Sequence, residues 1–147
     1  MRTLLVLVVL AGIPVRLHAQ TDSLPPIIVA GLRSAVDSGN CRPAFERWTS
    51  NWTMQPGREA SVTETVASCG VIAERLGAIR GYDVIKVLRI TPHVWRVYVL
   101  LVCERGPAYL GLVLYRANEA DWKVTTVNWN TDPDRVIPAS VLPPQRP

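Results

Sequence analysis

The 147-residue chain is poor in the residue types on which most catalytic and metal sites depend. It has two histidines, and because His18 lies within the first 19 residues, His93 is the single histidine of the remainder. One histidine next to Pro92 in a turn argues against a Ser–His–Asp triad and against a histidine-rich metal site. No glycine-rich loop of the kind that binds phosphate is present. The sequence therefore predicts no metal, no cofactor and no common catalytic motif.

Positive charge is neither dense nor clustered along the chain. The formal net charge is +4, from 16 basic and 12 acidic residues. Without Arg2 and Arg16, 14 basic residues face 12 acidic ones, so residues 20–147 carry a net charge of +2. Nucleic-acid-binding domains concentrate lysine and arginine in one run or on one face. The scattered charges exclude nucleic acid as an expected partner.

The first 19 residues have the composition of a secretory signal peptide. Arg2 precedes an apolar stretch from Leu4 to Ile13, and the small residue Ala19 precedes Gln20. A basic start, a short apolar centre and a small residue at the exit are the features that such a peptide needs. The stretch is shorter than the ~20 apolar residues that span a bilayer. We therefore expect a signal peptide at residues 1–19 and a secreted or periplasmic mature protein without a stable membrane anchor.

The three cysteines, Cys41, Cys69 and Cys103, predict one disulfide and one free thiol outside the cytoplasm. Cys41 with Cys69 is the preferred pair, because it would tie the junction of the first two helices to the third helix. Cys69 with Cys103 would instead join a helix to the sheet. Sequence alone leaves both pairings open.

The apolar pattern changes from helical spacing to alternation near residue 82. A first helix is predicted from about Pro25 to Ser38, a short second one after Cys41, and a third where Ser61 and Glu64 match the capping-box pattern. Four strands follow, and their short connections require antiparallel pairing. The predicted strands are Tyr82–Thr91, Val94–Glu104, Ala108–Ala117 and Trp122–Asn130.

Helices followed by a meander indicate the α+β class. We expect one domain over residues 20–134, with N-terminal helices packed on a curved, four-stranded antiparallel sheet. Residues 135–147 are rich in proline and are expected to form a C-terminal tail.

Alternation along the strands predicts one apolar and one mixed face of the sheet. A β-bulge at any connection would exchange the two faces beyond it. The apolar face, expected beneath the helices, includes Val84, Leu88, Ile90, Trp95, Val97, Val99, Leu101, Cys103, Leu110, Leu112 and Leu114. The mixed face includes Asp83, Arg89, Arg96, Tyr98, Glu104, Tyr109 and Tyr115.

Five short segments carry a resemblance to a known fold. They are Asp37–Asn40, Arg89–Pro92, Glu104–Pro107, Leu114–Arg116 and Asp121–Val124. Between residues 25 and 134 the chain resembles the nuclear transport factor 2-like superfamily, a cone-shaped α+β fold, and in particular its secreted bacterial members of unassigned function. The resemblance implies a pocket between the helices and the sheet. A cystatin-like layout is the alternative, but it would need one long helix.

The resemblance does not select a function, because the superfamily contains isomerases, dehydratases and epoxide hydrolases as well as members that only bind or dimerise. We expect a binding module rather than an enzyme. Either a small apolar molecule enters the cone or a protein partner docks on the mixed face. The expected pocket lining is Trp95, Val99, Leu112 and Leu114. The expected partner surface, which would also serve a homodimer, consists of Tyr98, Tyr109 and Tyr115.

The alternative function is that of a small-molecule lyase or isomerase of the cone fold. Such an enzyme would use a carboxylate, Asp83 or Glu104, together with a tyrosine for proton transfer. The contrasting interpretation is that both carboxylates are solvated charges near strand ends, where ion pairs contribute little to stability.

Overall fold

The computed structural model describes residues 24–52 and 56–142, so the expected signal peptide and residues 143–147 of the expected tail lie outside the described residues. Three helices precede four strands, and the strands form one antiparallel sheet in the order β1-β2-β3-β4. The elements are α1 (Pro26–Ser38), α2 (Arg42–Thr49), α3 (Glu59–Leu76), β1 (Ile79–Arg89), β2 (Val94–Cys103), β3 (Gly106–Arg116) and β4 (Trp122–Asn130). The predicted α+β class is confirmed, and the arrangement is compatible with a cone-like fold.

The helices cover one face of the sheet, which we call the inner face. α1 contacts β1, α2 contacts β4 and α3 contacts β3. Burying an aliphatic or aromatic side chain of this size contributes about 1.5–3 kcal/mol, so this layer supplies most of the hydrophobic stabilisation. Its fully buried members include Ile28, Leu32, Phe45, Trp48, Ile72, Val97, Leu110, Leu112 and Leu114.

α1 and α2 pack closely because Gly31 leaves room for an indole ring. A Cβ atom on Gly31 would collide with the ring of Trp48, which is fully buried. The indole Nε1 of Trp48 donates a hydrogen bond to the carbonyl oxygen of Ile27 at 3.1 Å, so its polar atom is satisfied inside the core. A larger residue at position 31 would therefore separate the two helices.

The preferred disulfide pairing is confirmed, because Cys41 and Cys69 are bonded, with their Cα atoms 5.5 Å apart and a sequence separation of 28 residues. The bond ties the start of α2 to the middle of α3. Cys103 is a free, buried thiol. Burial raises the pKa of the Cys103 thiol, which keeps it protonated at neutral pH.

α3 begins three residues earlier than the capping pattern indicates. Its N-cap residue is Arg58, which makes no side-chain capping bond, and Ser61 and Glu64 lie inside the helix. The predicted capping box is therefore wrong. The carboxylate of Glu59 lies in the first turn instead, where negative charge interacts favourably with the exposed N–H groups. Among residues 24–52 and 56–142, no helix has the length and apolar composition needed to cross a membrane.

A β-bulge inside β1 changes which side chains face the helices. The pairing register with β2 shifts directly after Val84. Beyond the shift, Leu88 packs on the opposite, outer face, and the Arg89 guanidinium lies over the Trp95 ring at 4.7 Å. Ile90 follows the end of the strand and is 54% exposed. The predictions that Leu88 and Ile90 face the helices, and that Arg89 faces away from them, are wrong for this reason.

The chain after β4 folds back over the outer face. We call residues 133–142, which begin with a short 3₁₀ helix at Pro133–Arg135, the C-terminal segment. Val136 is 8% and Ile137 is 1% exposed, and both pack against Tyr98. Partly buried side chains surround this second cluster: Ile85, Leu88, Tyr109, Val141 and Leu142. Four side chains of the expected tail therefore pack on the sheet: Val136, Ile137, Val141 and Leu142.

Candidate functional site

A groove of about 280 Å³ lies on the outer face, between the sheet and the C-terminal segment. Two rows of residues paired across β2, β3 and β4 form its floor. One row consists of Tyr98, Gly111 and Asn128, and the other of Arg96, Val113 and Thr126. Val136 and Pro138 of the C-terminal segment form one wall. The outer-face groove thus combines residues from three strands with a segment that begins 17 positions after the end of β3.

Gly111 allows a side chain of β4 and a side chain of the C-terminal segment to come close to the floor of the groove. A Cβ atom on Gly111 would collide with the Oδ1 atom of Asn128 and would lie 3.1 Å from the Cγ1 atom of Val136. Glycine inside a strand weakens the strand and often marks a place where another group approaches closely. Gly111 is therefore the local sequence signal for the groove, although the sequence analysis assigned it no role.

The polar side chains of the groove have unused hydrogen-bonding capacity. Tyr98 is only 3% exposed, yet its hydroxyl makes no hydrogen bond within the described part of the chain. The same holds for the side chains of Arg96, Thr126 and Asn128 in that part of the chain. Groups of this kind can bind a ligand in exchange for water, without breaking a hydrogen bond within the protein.

The groove is positively charged. Arg96 is the one charged residue in its lining, which contains no carboxylate. Lys86 pairs with Tyr98 across β1 and β2, so a second cation lies beside the groove on the same face. The local field therefore favours a ligand that carries negative charge.

The predicted inner-face pocket residues lie together, but they lie in the core. Val99, Leu112 and Leu114 are between 0% and 1% exposed and belong to the main hydrophobic cluster. Trp95 is half-buried at the edge of the same cluster. Their side chains contact the core that the helices cover. Leu112, which lies between Gly111 and Val113 on β3, also contributes to the lining of the outer-face groove on the other side of the sheet.

The three tyrosines of the predicted partner surface share the outer face but differ in accessibility. Tyr98 lies beneath Val136 and Ile137. Tyr109 is half-buried beside the same cluster, and Tyr115 is 45% exposed. The C-terminal segment therefore covers one of the three residues on which the predicted surface depends.

The two candidate carboxylates lie outside the groove lining. Asp83 is exposed on β1. Glu104 lies in the turn between β2 and β3, where its Oε2 atom accepts a hydrogen bond from the backbone N–H of Ala78 at 3.1 Å and where it pairs with Arg80. The bond from Ala78, followed by the contact with Arg80, lowers the pKa of Glu104. Because it is held ionised, Glu104 suits an anchor for this turn better than a general acid.

A stack of arginine and tryptophan side chains lies at one end of the inner face. Arg89 lies over Trp95, the Trp95 and Trp122 rings are 4.7 Å apart at 52°, and Arg116 lies over Trp122 at 4.7 Å. Arg116 also donates a hydrogen bond to the carbonyl oxygen of Pro92 at 2.9 Å. Both guanidinium groups are already stacked on a ring. Because these residues lie at or near the ends of β1, β2, β3 and β4, the stack joins the strand ends. Each such contact contributes roughly 0.5–2 kcal/mol.

Metal ligands do not gather in the described residues, where no group of three or more His, Cys, Asp or Glu side chains could hold an ion. Comparison with protein-family models, with curated proteins and with solved structures finds no match to this chain. The outer-face groove, with its polar side chains and its apolar wall, is therefore the candidate functional site.

Proposed function

We propose that this chain is an extracytoplasmic binding protein, with a cone-like fold of the nuclear transport factor 2-like kind, that holds a small molecule in the outer-face groove. The observation that carries the proposal is the groove itself, about 280 Å³ in volume, with apolar walls and four polar side chains that have no partner within the described residues. Small-molecule sites are concave, mostly apolar and about 300–1,000 Å³ in volume, with a few polar groups that fix orientation. A groove of about 280 Å³, just below that range, suits a small ligand.

Export of the protein is supported by two independent features. Residues 1–19 have the composition of a signal peptide. Cys41 and Cys69 form a disulfide, a bond that persists in oxidising compartments and is rare in the cytoplasm.

The outer face is a better location for a ligand than the helix-covered interior. Val99, Leu112 and Leu114 are packed in the core, and a ligand among them would have to displace close-packed side chains. At the outer-face groove, about 280 Å³ of space already exists between the strands and the C-terminal segment.

A small molecule also fits the outer face better than a protein partner or a second copy of the chain. Stable protein interfaces bury about 800 Å² on each partner, usually around buried aromatic residues. The most central tyrosine of the predicted surface, Tyr98, is already covered by Val136 and Ile137. Docking through Tyr98 would require the C-terminal segment to leave the sheet.

Binding without chemical change is supported by the types of side chain in the groove. Arg96, Tyr98, Thr126 and Asn128 supply a cation and hydrogen bonds rather than a carboxylate–histidine pair. The alternative as a lyase or isomerase would need Asp83 or Glu104, and neither lines the groove. No contact among the described residues favours a lyase or an isomerase.

A groove-filling variant tests the proposal. Thr126→Trp puts a large ring into the groove from an exposed strand position, and Lys123→Trp is the matched control on the same strand and face, beyond the groove lining. The proteins are incubated with a protein-free extract of the culture medium and analysed by native mass spectrometry. A small mass retained by wild type and Lys123→Trp, but not by Thr126→Trp, supports the proposal. Equal retention by all three proteins, or by none, contradicts it.

A further inference from the structure

We propose that the ligand of the outer-face groove is a small organic anion, with a carboxylate bound by Arg96 and an apolar body that lies over Val113. The inference rests on the proposed function, because it names the class of ligand for the same groove.

Arg96 differs from the other arginines of the sheet and its turns. Arg80 pairs with Glu104, and Arg89 and Arg116 stack on tryptophan rings. Arg105 donates a hydrogen bond to a backbone carbonyl at the end of α3, at 3.1 Å from its Nε atom. Arg96 has no such partner within the described residues and is also the arginine that lines the groove. A guanidinium group binds a carboxylate through two parallel hydrogen bonds, so a carboxylate would use donors that are now free.

The positions of the other polar groups give the ligand a direction and a length. Arg96 lies on β2 and Thr126 on β4, with Val113 of β3 between them. Neighbouring strands are about 4.8 Å apart, so the backbones at these two positions are separated by about 10 Å. A ligand whose anionic end meets Arg96 therefore reaches Thr126 and Asn128 with its opposite end. A hydrogen-bonding group at that end would be satisfied there.

The middle of the ligand would pack against apolar side chains. Val113 lies between the two polar ends on the floor, and Val136 and Pro138 form the wall beside it. The space above Gly111 is taken by the Oδ1 atom of Asn128 and the Cγ1 atom of Val136, so the apolar body lies against Val113 and this wall. The inferred class is thus a carboxylate with a short apolar body and a hydroxyl or amide at the far end.

A pair of matched probes tests the charge requirement. 4-Hydroxybenzoate has a carboxylate, a flat ring and a distal hydroxyl, and 4-hydroxybenzamide has the same shape without the charge. Each probe is titrated into ¹⁵N-labelled protein, and binding is followed by the backbone amide signals of Gly111, Thr126 and Asn128. The variants are Arg96→Gln and Arg96→Lys. Arg33→Gln is the control, since it removes an exposed arginine from α1 on the other side of the sheet.

The expected result is saturable binding of 4-hydroxybenzoate by wild type and by Arg33→Gln. Loss of a charged hydrogen-bonding partner costs about 1.5–3 kcal/mol, so Arg96→Gln should weaken this binding by about tenfold or more. Arg96→Lys should retain part of the affinity, because the charge remains while the bidentate geometry is lost. Added salt should weaken binding of the anion but not of the amide.

Two outcomes would overturn the inference. If the amide binds wild type as tightly as the anion and Arg96→Gln changes neither affinity, the ligand is neutral, while the groove keeps its proposed function. If neither probe shifts the three amide signals, the inferred ligand class is wrong. Retention of a small mass by wild type but not by Thr126→Trp would then still support the groove as a binding site.

Discussion

Ile137→Ala is expected to destabilise the whole domain, because the C-terminal segment is part of a second core on the outer face. Ile137 is 1% exposed and packs with Tyr98 and Val136. The change removes three buried carbon groups, which amounts to about 2.4 kcal/mol at about 0.8 kcal/mol per group. The cavity that remains adds to this cost, and isoleucine-to-alanine changes in cores typically cost about 2–5 kcal/mol. We therefore expect a loss of about 3 kcal/mol in the free energy of unfolding.

Urea unfolding followed by tryptophan fluorescence measures this loss. For a small domain the free energy of unfolding falls by about 1–3 kcal/mol per molar urea, so the midpoint should decrease by about 1–3 M with an unchanged slope. Val141→Ala is the matched control, because Val141 is only partly buried at the margin of the same cluster. It should cost less than about 1 kcal/mol.

A small effect would contradict this prediction. If Ile137→Ala left the unfolding midpoint within the error of wild type, the C-terminal segment would not unfold cooperatively with the rest of the domain. Rapid hydrogen exchange of the backbone amides of Val136 and Ile137 would then show that the segment opens before the domain unfolds. The groove would lack its wall in that case, and the domain would end near residue 134.

Three further predictions concern the disulfide, the turn and the free thiol. Replacing Cys41 and Cys69 with alanine should lower the free energy of unfolding by about 3.6 kcal/mol in a urea titration, from the closure entropy of a 28-residue loop; a loss below about 1 kcal/mol would contradict this. Glu104→Gln should make the melting temperature depend less on acid pH. The pKa of Glu104 is lower in the folded protein than its usual value of 4.5, so the ionised carboxylate stabilises the fold above pH 4.5, and this stability is lost as the pH falls through the lower folded pKa. Equal acid dependence in both proteins would contradict the turn contacts. In the absence of reductant, Cys103 should react with a thiol reagent only after the protein is unfolded, because the thiol is buried. Reaction of more than one thiol per chain would contradict the disulfide between Cys41 and Cys69.

Local patterns in the sequence predicted most of the fold. Strict alternation in β2 places Val97 and Val99 beneath the helices and Arg96 and Tyr98 on the outer face, and the structure has this arrangement. The pattern of β1 is ambiguous. It has apolar residues on both faces around Ile85, so a one-residue shift leaves its appearance almost unchanged. The bulge there depends on pairing with β2, and single-strand periodicity carries little information about it.

The outer-face groove could not be predicted because it depends on a contact between distant parts of the chain. Residues 135–142 have a composition typical of a tail, yet Val136 and Ile137 pack on an apolar surface around Tyr98. That surface exists only after β1, β2 and β3 have paired. The single local signal was Gly111, whose lack of a side chain becomes meaningful only when Asn128 and Val136 are placed beside it.

The central claim is that a ligand binds on the outer face rather than in the helix-covered interior. Isotope-filtered NOE spectroscopy of the protein with its retained ligand, or with 4-hydroxybenzoate, tests this claim most directly. We expect NOEs from the ligand to the methyl groups of Val113 and Val136, which line the groove. NOEs to the methyl groups of Val99 and Leu114, which lie in the core beneath the helices, would contradict the account.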